Sequence, residues 1–353
     1  MLIHRTTRAV PDPAAHGKAP VFIIAEAGVN HNGDLGLAKR LIDHAAKAGA
    51  DAVKFQTFKA EKLVSRCSPK AKYQAARTGS SESQLEMLRK LELPSNTYPQ
   101  LMKYAASRGI AFLSTPFDER SVDLLDELGI PLFKIASGEI TNLPFLEYVA
   151  RKRKPIILST GMSYLVEVQG AVRILREAAC PQITLLHCTS NYPADAAMCN
   201  LRAMQTLRST FNLPVGYSDH TEGIEIAIAA VALGASVLEK HFTLDKGLPG
   251  PDHQASLEPD EFRAMVQAIR HVEASLGDGV KRPMTSESEI RKVARRSLVA
   301  AVDLTAGTIL KKAHLTAKRP GTGLPPSETS KVVGRRLVRD RSADDMIRLS
   351  DLS

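Results

Sequence analysis

Two histidines stand 21 positions apart, His220 in VGYSDHT and His241 in VLEKHF, each just past a short apolar run. Each run reads as a buried strand, so both imidazoles would emerge at the same end of neighbouring parallel strands. Neutral imidazole is the commonest side-chain metal ligand, and two at one rim could share a divalent ion. The other reading makes each a hydrogen-bonding residue at a strand end. Ser218, Asp219, Glu239 and Lys240 beside them favour the metal. Two lysines add to the pattern, since Lys54 in VKFQT and Lys134 in FKIASGE interrupt otherwise apolar runs. A buried, unpaired ammonium is too costly to be filler. The pair would grip a substrate carboxylate or phosphate, helped by Ser137, Ser159 and the turn amides at Gly138 and Gly161. Pairing with Glu26 or Glu139 as internal struts is the alternative, and both can hold together. Such a site suits a small dianionic phosphate ester or acid beside a divalent metal, with Glu26, Glu239 and Asp252 as acid/base candidates.

These residues need a scaffold that gathers many strand ends. Eight short apolar segments qualify as strands: 21–27, 52–57, 111–115, 132–136, 156–160, 183–188, 215–218 and 236–241. Runs at 35–48, 120–128, 201–210 and 224–233 carry apolar residues at three- and four-residue spacing, the period of a helix packed on one face. Gly49, Gly109, Gly129 and Gly234 each stand where a left-handed residue would close a helix ahead of a strand. Strand and helix alternating in this way predict an α/β fold, a (β/α)8 TIM barrel. An open doubly wound sheet is the alternative, but no G-x-G-x-x-G follows the first strand. Barrel chemistry collects at the C-terminal strand ends, and all eight ends are polar here. The segment 58–96 has few regular apolar repeats beyond 85–93 and is too long for an ordinary connection, so it reads as a functional loop, the alternative being a surface excursion with a short helix.

A stretch rich in Gly, Ser, Pro and charge at 277–289 breaks the pattern. The expected organisation is a barrel domain over 1–280, including an N-terminal extension at 1–19, then a linker at 281–292 and a small β-rich domain at 293–353. A strand pair around 332–347 would end the chain. Net charge is +9, and residues 281–353 hold 16 Lys+Arg against 8 Asp+Glu, so the basic surplus lies almost wholly there. That region has no aromatic interleaving, zinc-ligand spacing or helix-turn-helix pattern, so no nucleic-acid partner is expected. A basic cap that draws in an anionic substrate is. No apolar stretch reaches roughly 18 residues and no apolar signal core opens the chain, so neither membrane nor export is expected. Four cysteines without C-x-x-C spacing suit reduced thiols in a cytoplasm.

The strings IAEAGVNHNGD, DAVKFQTF, STPFD, FKIASGE, ILSTGM, LLHCTSNYP, GYSDHT and LEKHF, in this order, resemble the sialic acid synthases. The later RRSLVA, GTIL, KRPGTG and VVGRRL are similar to that family's antifreeze-like (SAF) domain. The family condenses phosphoenolpyruvate with an N-acetylated amino sugar to a nine-carbon 2-keto acid. The resemblance implies a divalent metal on His220 and His241, manganese first, with magnesium or cobalt as alternatives. It implies phosphoenolpyruvate on Lys54, Lys134, Ser137, Ser159, Ser190, Ser218 and Glu239. Gln56, Tyr73, Asn191, Tyr192 and Asp252 would meet the sugar, Glu26 would be the acid/base group, and Arg319 would reach in from the other subunit of a domain-swapped homodimer. The loop PKAKYQAARTGSSESQLEMLRKLEL looks closer to members that make N,N'-diacetyllegionaminate from a 2,4-diacetamido-trideoxy sugar than to those that make N-acetylneuraminate from N-acetylmannosamine. Both acceptors stay open.

Two rivals remain at this level. One is a barrel that condenses phosphoenolpyruvate with a phosphorylated aldose, which would call for more arginine on the barrel strands. The other is a non-catalytic sugar- or ice-binding protein, which would leave eight polar strand ends without a use.

Overall fold

A computed structural model describes residues 19–79 and 81–353. Apart from its last residue, the expected N-terminal extension lies outside the described residues. The chain divides into two compact units, the first ending at Gly277 and the second spanning Asp278–Ser353.

In the first unit eight strands form: β1 (Phe22–Gly28), β2 (Ala52–Thr57), β3 (Ala111–Pro116), β4 (Phe133–Ile135), β5 (Ile156–Ser159), β6 (Ile183–Cys188), β7 (Val215–Asp219) and β8 (Val237–His241). Their hydrogen-bonded order is β3-β2-β1-β8-β7-β6-β5-β4, and these ladders are parallel. β4 lies beside β3 without a ladder, so the sheet curls into a nearly closed (β/α)8 barrel. The helix Leu35–Ala48 shows how the connections form. Asp34 caps its start by accepting from the Leu37 N–H, and Gly49, at φ 88°, ends it in the left-handed region. Between them Ala38, Leu41, Ile42, Ala45 and Ala48 bury one face.

The barrel interior is layered because inward positions recur every second residue along a strand. The lowest layer is apolar: Ile24, Ala52, Leu113, Leu132, Ile157, Leu186 and Val237 pack together. Two residues further along the same strands stand Glu26, Lys54, Thr115, Lys134, Ser159, Cys188 and Glu239, joined by Ser218 on β7. A third step reaches Gly28, Gln56, Gly161, Ser190, His220 and His241. Chemistry therefore begins one inward step above a dry floor.

The segment 58–96 is not one loop. It forms three short helices, Ala60–Leu63, Lys72–Thr78 and Gln84–Leu91. Phe58, Ala60, Leu85, Met87, Leu88 and Leu91 gather with Val29 into a core of their own. The repeats at 85–93 fall on the last of these helices; the other two are too short for a period to show.

In the second unit β9 (Ser297–Ala300) pairs antiparallel with β10 (Leu315–Lys318). The expected strand pair over 332–347 does not form. Val332 ends a short helix, Thr329–Val332, while Gly334 and Asp344, with φ of 88° and 74°, turn the chain. Val332, Leu337 and Ile347 instead bury in a small core with Leu298, Ala300 and Leu310. The helix Ser288–Ala294 begins within residues 281–292. Among the described residues no helix is long and apolar enough to cross a membrane.

At Gly216 the strands of the barrel wall approach closely. A Cβ there would collide with the Val237 carbonyl oxygen and the Leu186 side chain. Gly216→Ala should therefore destabilise the barrel by about 1–3 kcal/mol through overpacking, seen in calorimetry as a lower midpoint of the barrel transition. An unchanged midpoint would mean that the strands have room to separate.

Candidate active site

Four charged side chains share the polar layer, each at most 4 % exposed. Lys54 Nζ lies 2.7 Å from Glu26 Oε2 and 3.6 Å from Glu239 Oε2, and it donates to Thr115 Oγ1 at 3.0 Å. Lys134 Nζ lies 3.6 Å from the other Glu239 oxygen, which also accepts from Ser218 Oγ at 2.9 Å. Glu139 takes no part; it accepts from Asn142 Nδ2. Burial opposes the charge of Glu239, yet Lys134, Lys54 and the Ser218 hydrogen bond hold this carboxyl down at about 2. At Glu26 burial wins over the pull of Lys54 and pushes the carboxyl up to about 7. Burial lowers Lys134, whereas in Lys54 the same penalty is overcome by Glu239 and Glu26. The layer thus holds one fixed negative charge and one carboxyl poised to exchange protons near neutrality.

Beside Lys134 a set of small polar side chains gathers. Ser137 Oγ accepts from the Gly161 N–H at 2.9 Å and lies 3.2 Å from Cys188 Sγ. A Cβ at Gly161 would run into Ser190 Oγ, Cys188 Sγ and Ser137 Oγ together, so glycine keeps this cradle open. Ser159 Oγ is buried with no hydrogen-bond partner in the protein. Burial pushes the Cys188 thiol up, which keeps it a neutral liner of the cradle.

On the rim above, the ring centroids of His220 and His241 are 5.4 Å apart. His220 Nδ1 lies 2.7 Å from the Thr189 carbonyl oxygen. It therefore carries the proton and donates, leaving the Nε2 lone pair 3.4 Å from Ser218 Oγ. His241 Nδ1 is buried without a partner. Burial drives His220 down to about 4 and His241 well below the usual range, so both rings are neutral at pH 7. Two neutral imidazoles, one with its tautomer fixed by a backbone carbonyl and one with an orphaned nitrogen, fit a divalent ion. Among the described residues no group of three or more His, Cys, Asp or Glu gathers for a metal, so further ligands would have to be substrate or water oxygens. Tyr192 packs on both rings, at centroid distances of 4.1 and 5.3 Å, and Tyr73 lies over Tyr192 at 5.4 Å.

Across the mouth, Glu26 Oε1, Gln56 Nε2 and Asp252 Oδ2 converge on the space beside Gly28 where a Cβ would stand. Gln56 donates to Glu26 Oε1 at 3.4 Å. Asn191 is exposed. Arg319 is exposed in the second unit, where its Nε donates to the Ala294 carbonyl at 3.0 Å. One contributor escaped sequence reasoning, Arg77 in the helix Lys72–Thr78. It donates to the Pro251 carbonyl at 3.4 Å and pulls the Asp252 carboxyl down against the burial that raises it to about 6. No motif around Arg77 signals this.

An eight-stranded parallel barrel with ionised groups and paired imidazoles in its mouth, followed by a small β unit, defines a two-unit barrel enzyme. The chain belongs to the NeuB family. That family's model matches residues 41–281, and the model of the SAF domain matches residues 295–353. The chain is 52% identical over 329 residues to the N,N'-diacetyllegionaminic acid synthase of Campylobacter jejuni, spanning 93% of this chain and 98% of that one. It is 52% identical over 326 residues to the protein of the same name from Legionella pneumophila, spanning 91% and 92%. A solved N-acetylneuraminic acid (sialic acid) synthetase from Leptospira borgpetersenii matches with a TM-score of 0.68 at 39% identity, covering 77% of this chain and 90% of that chain.

The Arg77 contact has a measurable sign. Since Arg77 lowers Asp252, Arg77→Ala should raise the Asp252 titration above about 6, followed by NMR of ¹³C-labelled aspartate. A midpoint that stays put or falls would show that the helix Lys72–Thr78 does not reach the mouth.

Proposed function

We propose that this enzyme condenses phosphoenolpyruvate with 2,4-diacetamido-2,4,6-trideoxymannose, giving N,N'-diacetyllegionaminate and phosphate. N-acetylmannosamine, giving N-acetylneuraminate, is the second acceptor. The observation that carries the reaction is the buried Glu26–Lys54–Glu239–Lys134 cluster directly beneath the His220/His241 pair. Ammonium groups there meet an enol phosphate, while the imidazoles stand where an aldehyde oxygen would arrive. The names of the Campylobacter and Legionella relatives, at 52% identity, favour the diacetamido acceptor.

In this reading Lys134, Ser137, Ser159 and Ser190 bind the phosphate and carboxylate, and Lys54, held by Glu26 and Glu239, completes the anion site with Ser218. Glu239 stays ionised and orients both lysines. As C3 of phosphoenolpyruvate joins the sugar's C1, the C2=C3 double bond is spent and the aldehyde oxygen becomes a hydroxyl; water adds at C2, and the C2–O bond to phosphate breaks as C2 becomes the ketone. Glu26, poised near neutrality, takes and returns the proton close to the reacting carbons. Gln56, Asp252, Tyr192 and Tyr73 orient the sugar, with Asn191 at the edge of its loop. A divalent ion on His220 and His241, manganese first and magnesium or cobalt next, would supply electrophilic polarisation of the aldehyde oxygen.

We further propose a domain-swapped homodimer in which Arg319 of one copy meets the acetamido group held by the other. Large apolar side chains exposed in both units support an association: Met162, Tyr164 and Val166 in the first, Ile290 and Val293 in the second. The four free cysteines suit the reducing cytoplasm, where we place the enzyme.

The test is phosphate release from phosphoenolpyruvate after chelation, with each sugar and with or without Mn2+, the product identified by mass spectrometry. Release should require both a sugar and the metal, and kcat/KM should favour the diacetamido sugar by at least about tenfold, as expected of a site built to hydrogen-bond an extra amide. Equal turnover of both sugars would overturn the acceptor assignment; full turnover in chelator would overturn the metal.

A further inference from the structure

Asp219 and Lys240 are partners in the β7–β8 ladder. Successive strand residues point to opposite faces, so with Ser218, His220, Glu239 and His241 inside the barrel, these two point outward beneath the helices. Their neighbours on that face, Tyr217 and Leu238, belong to the apolar core. A charged pair is out of place there, yet both side chains are 0% exposed. Lys240 Nζ donates to Asp219 Oδ2 at 2.8 Å and to the Thr221 carbonyl at 2.5 Å. Asp219 Oδ1 in turn accepts from the Thr221 N–H at 3.0 Å and its hydroxyl at 2.8 Å. The residues before and after His220 are thus both gripped by Lys240, whose own next residue is His241.

A fully buried ion pair seldom stabilises a fold more than apolar side chains of similar volume would. What this one adds is a fixed register and a fixed distance between two segments of backbone, each bearing one imidazole. We infer that Asp219 and Lys240 are positioning residues that set the separation of His220 and His241, and through it the affinity for the divalent ion those rings share. They touch neither substrate nor ion. The inference rests on the metal site proposed above.

Calorimetric titration of chelator-treated protein with MnCl2 tests it. Asp219→Leu combined with Lys240→Met removes both charges without leaving either unpaired. This double variant should unfold cooperatively, with a midpoint near that of the wild type in the absence of metal. Its Kd for Mn2+ should rise about 10–100-fold, the usual effect of losing the groups that orient metal ligands, and kcat should recover at saturating Mn2+. Asp219→Asn, which keeps the side-chain shape and the oxygen facing Thr221, is titrated alongside, so that the test holds if the double variant fails to fold; its Kd should rise in the same direction. A Kd within roughly twofold of wild type in a folded variant overturns the positioning role and leaves the metal site standing. Absence of Mn2+ uptake by the wild-type protein overturns both.

Discussion

The interaction on which the site depends is the seating of Glu239 between Lys54 and Lys134, with Lys54 also held by Glu26. Removing such charges from water costs several kcal/mol per ion, and a barrel core of Ile, Leu and Val would fold without them. The cluster persists because each charge answers another, and because Ser218 and Thr115 supply further hydrogen bonds. Its electrostatic result is asymmetric. Glu239, flanked by both lysines, remains ionised; Glu26, with one close lysine, is raised toward neutrality. One arrangement of four side chains thereby holds a fixed negative charge, two ammonium groups and a carboxyl able to exchange a proton near neutrality.

The same burial that raises Glu26 lowers the two histidines, since loss of water disfavours whichever form carries charge. One inward step along β7 and β8 separates Ser218 and Glu239 from His220 and His241, so the ionised floor and the neutral rim follow from a strand period of two. Ligand-competent imidazoles can stand directly over ammonium groups because they carry no charge of their own. Tyr192, packed on both rings and under Tyr73, shields the rim from solvent.

Much of this was legible in the chain. The segments 52–57 and 183–188 are strands with the expected bounds, and the helix over 35–48 is intact, because each is a strong local pattern ended by glycine or polar residues. Lys54 and Lys134 stood out because a charge inside an apolar run must be paired or used. Their partner was less visible: Glu26 and Glu139 were equal candidates for struts, and the choice of Glu26 and Glu239 depends on barrel closure, which brings β8 against β1. The helix Ala60–Leu63 and the turns that replace a strand pair at 332–347 were hidden for another reason. Both are held by small local cores in which burial follows tertiary contacts rather than any period. Arg77 was invisible because its target is a backbone carbonyl more than 170 residues away.

Calorimetric titration of phosphoenolpyruvate into the wild-type enzyme and into Lys134→Met bears most directly on the buried cluster. Methionine keeps the aliphatic length and removes only the ammonium. If the lysines hold the enol phosphate, the variant should bind it at least about 30-fold more weakly, given the 2–5 kcal/mol typical of truncating a buried charge pair in a complex. Affinity within roughly twofold of wild type would show that Lys134 is only an internal strut, and the account of this mouth as an anion site would fail.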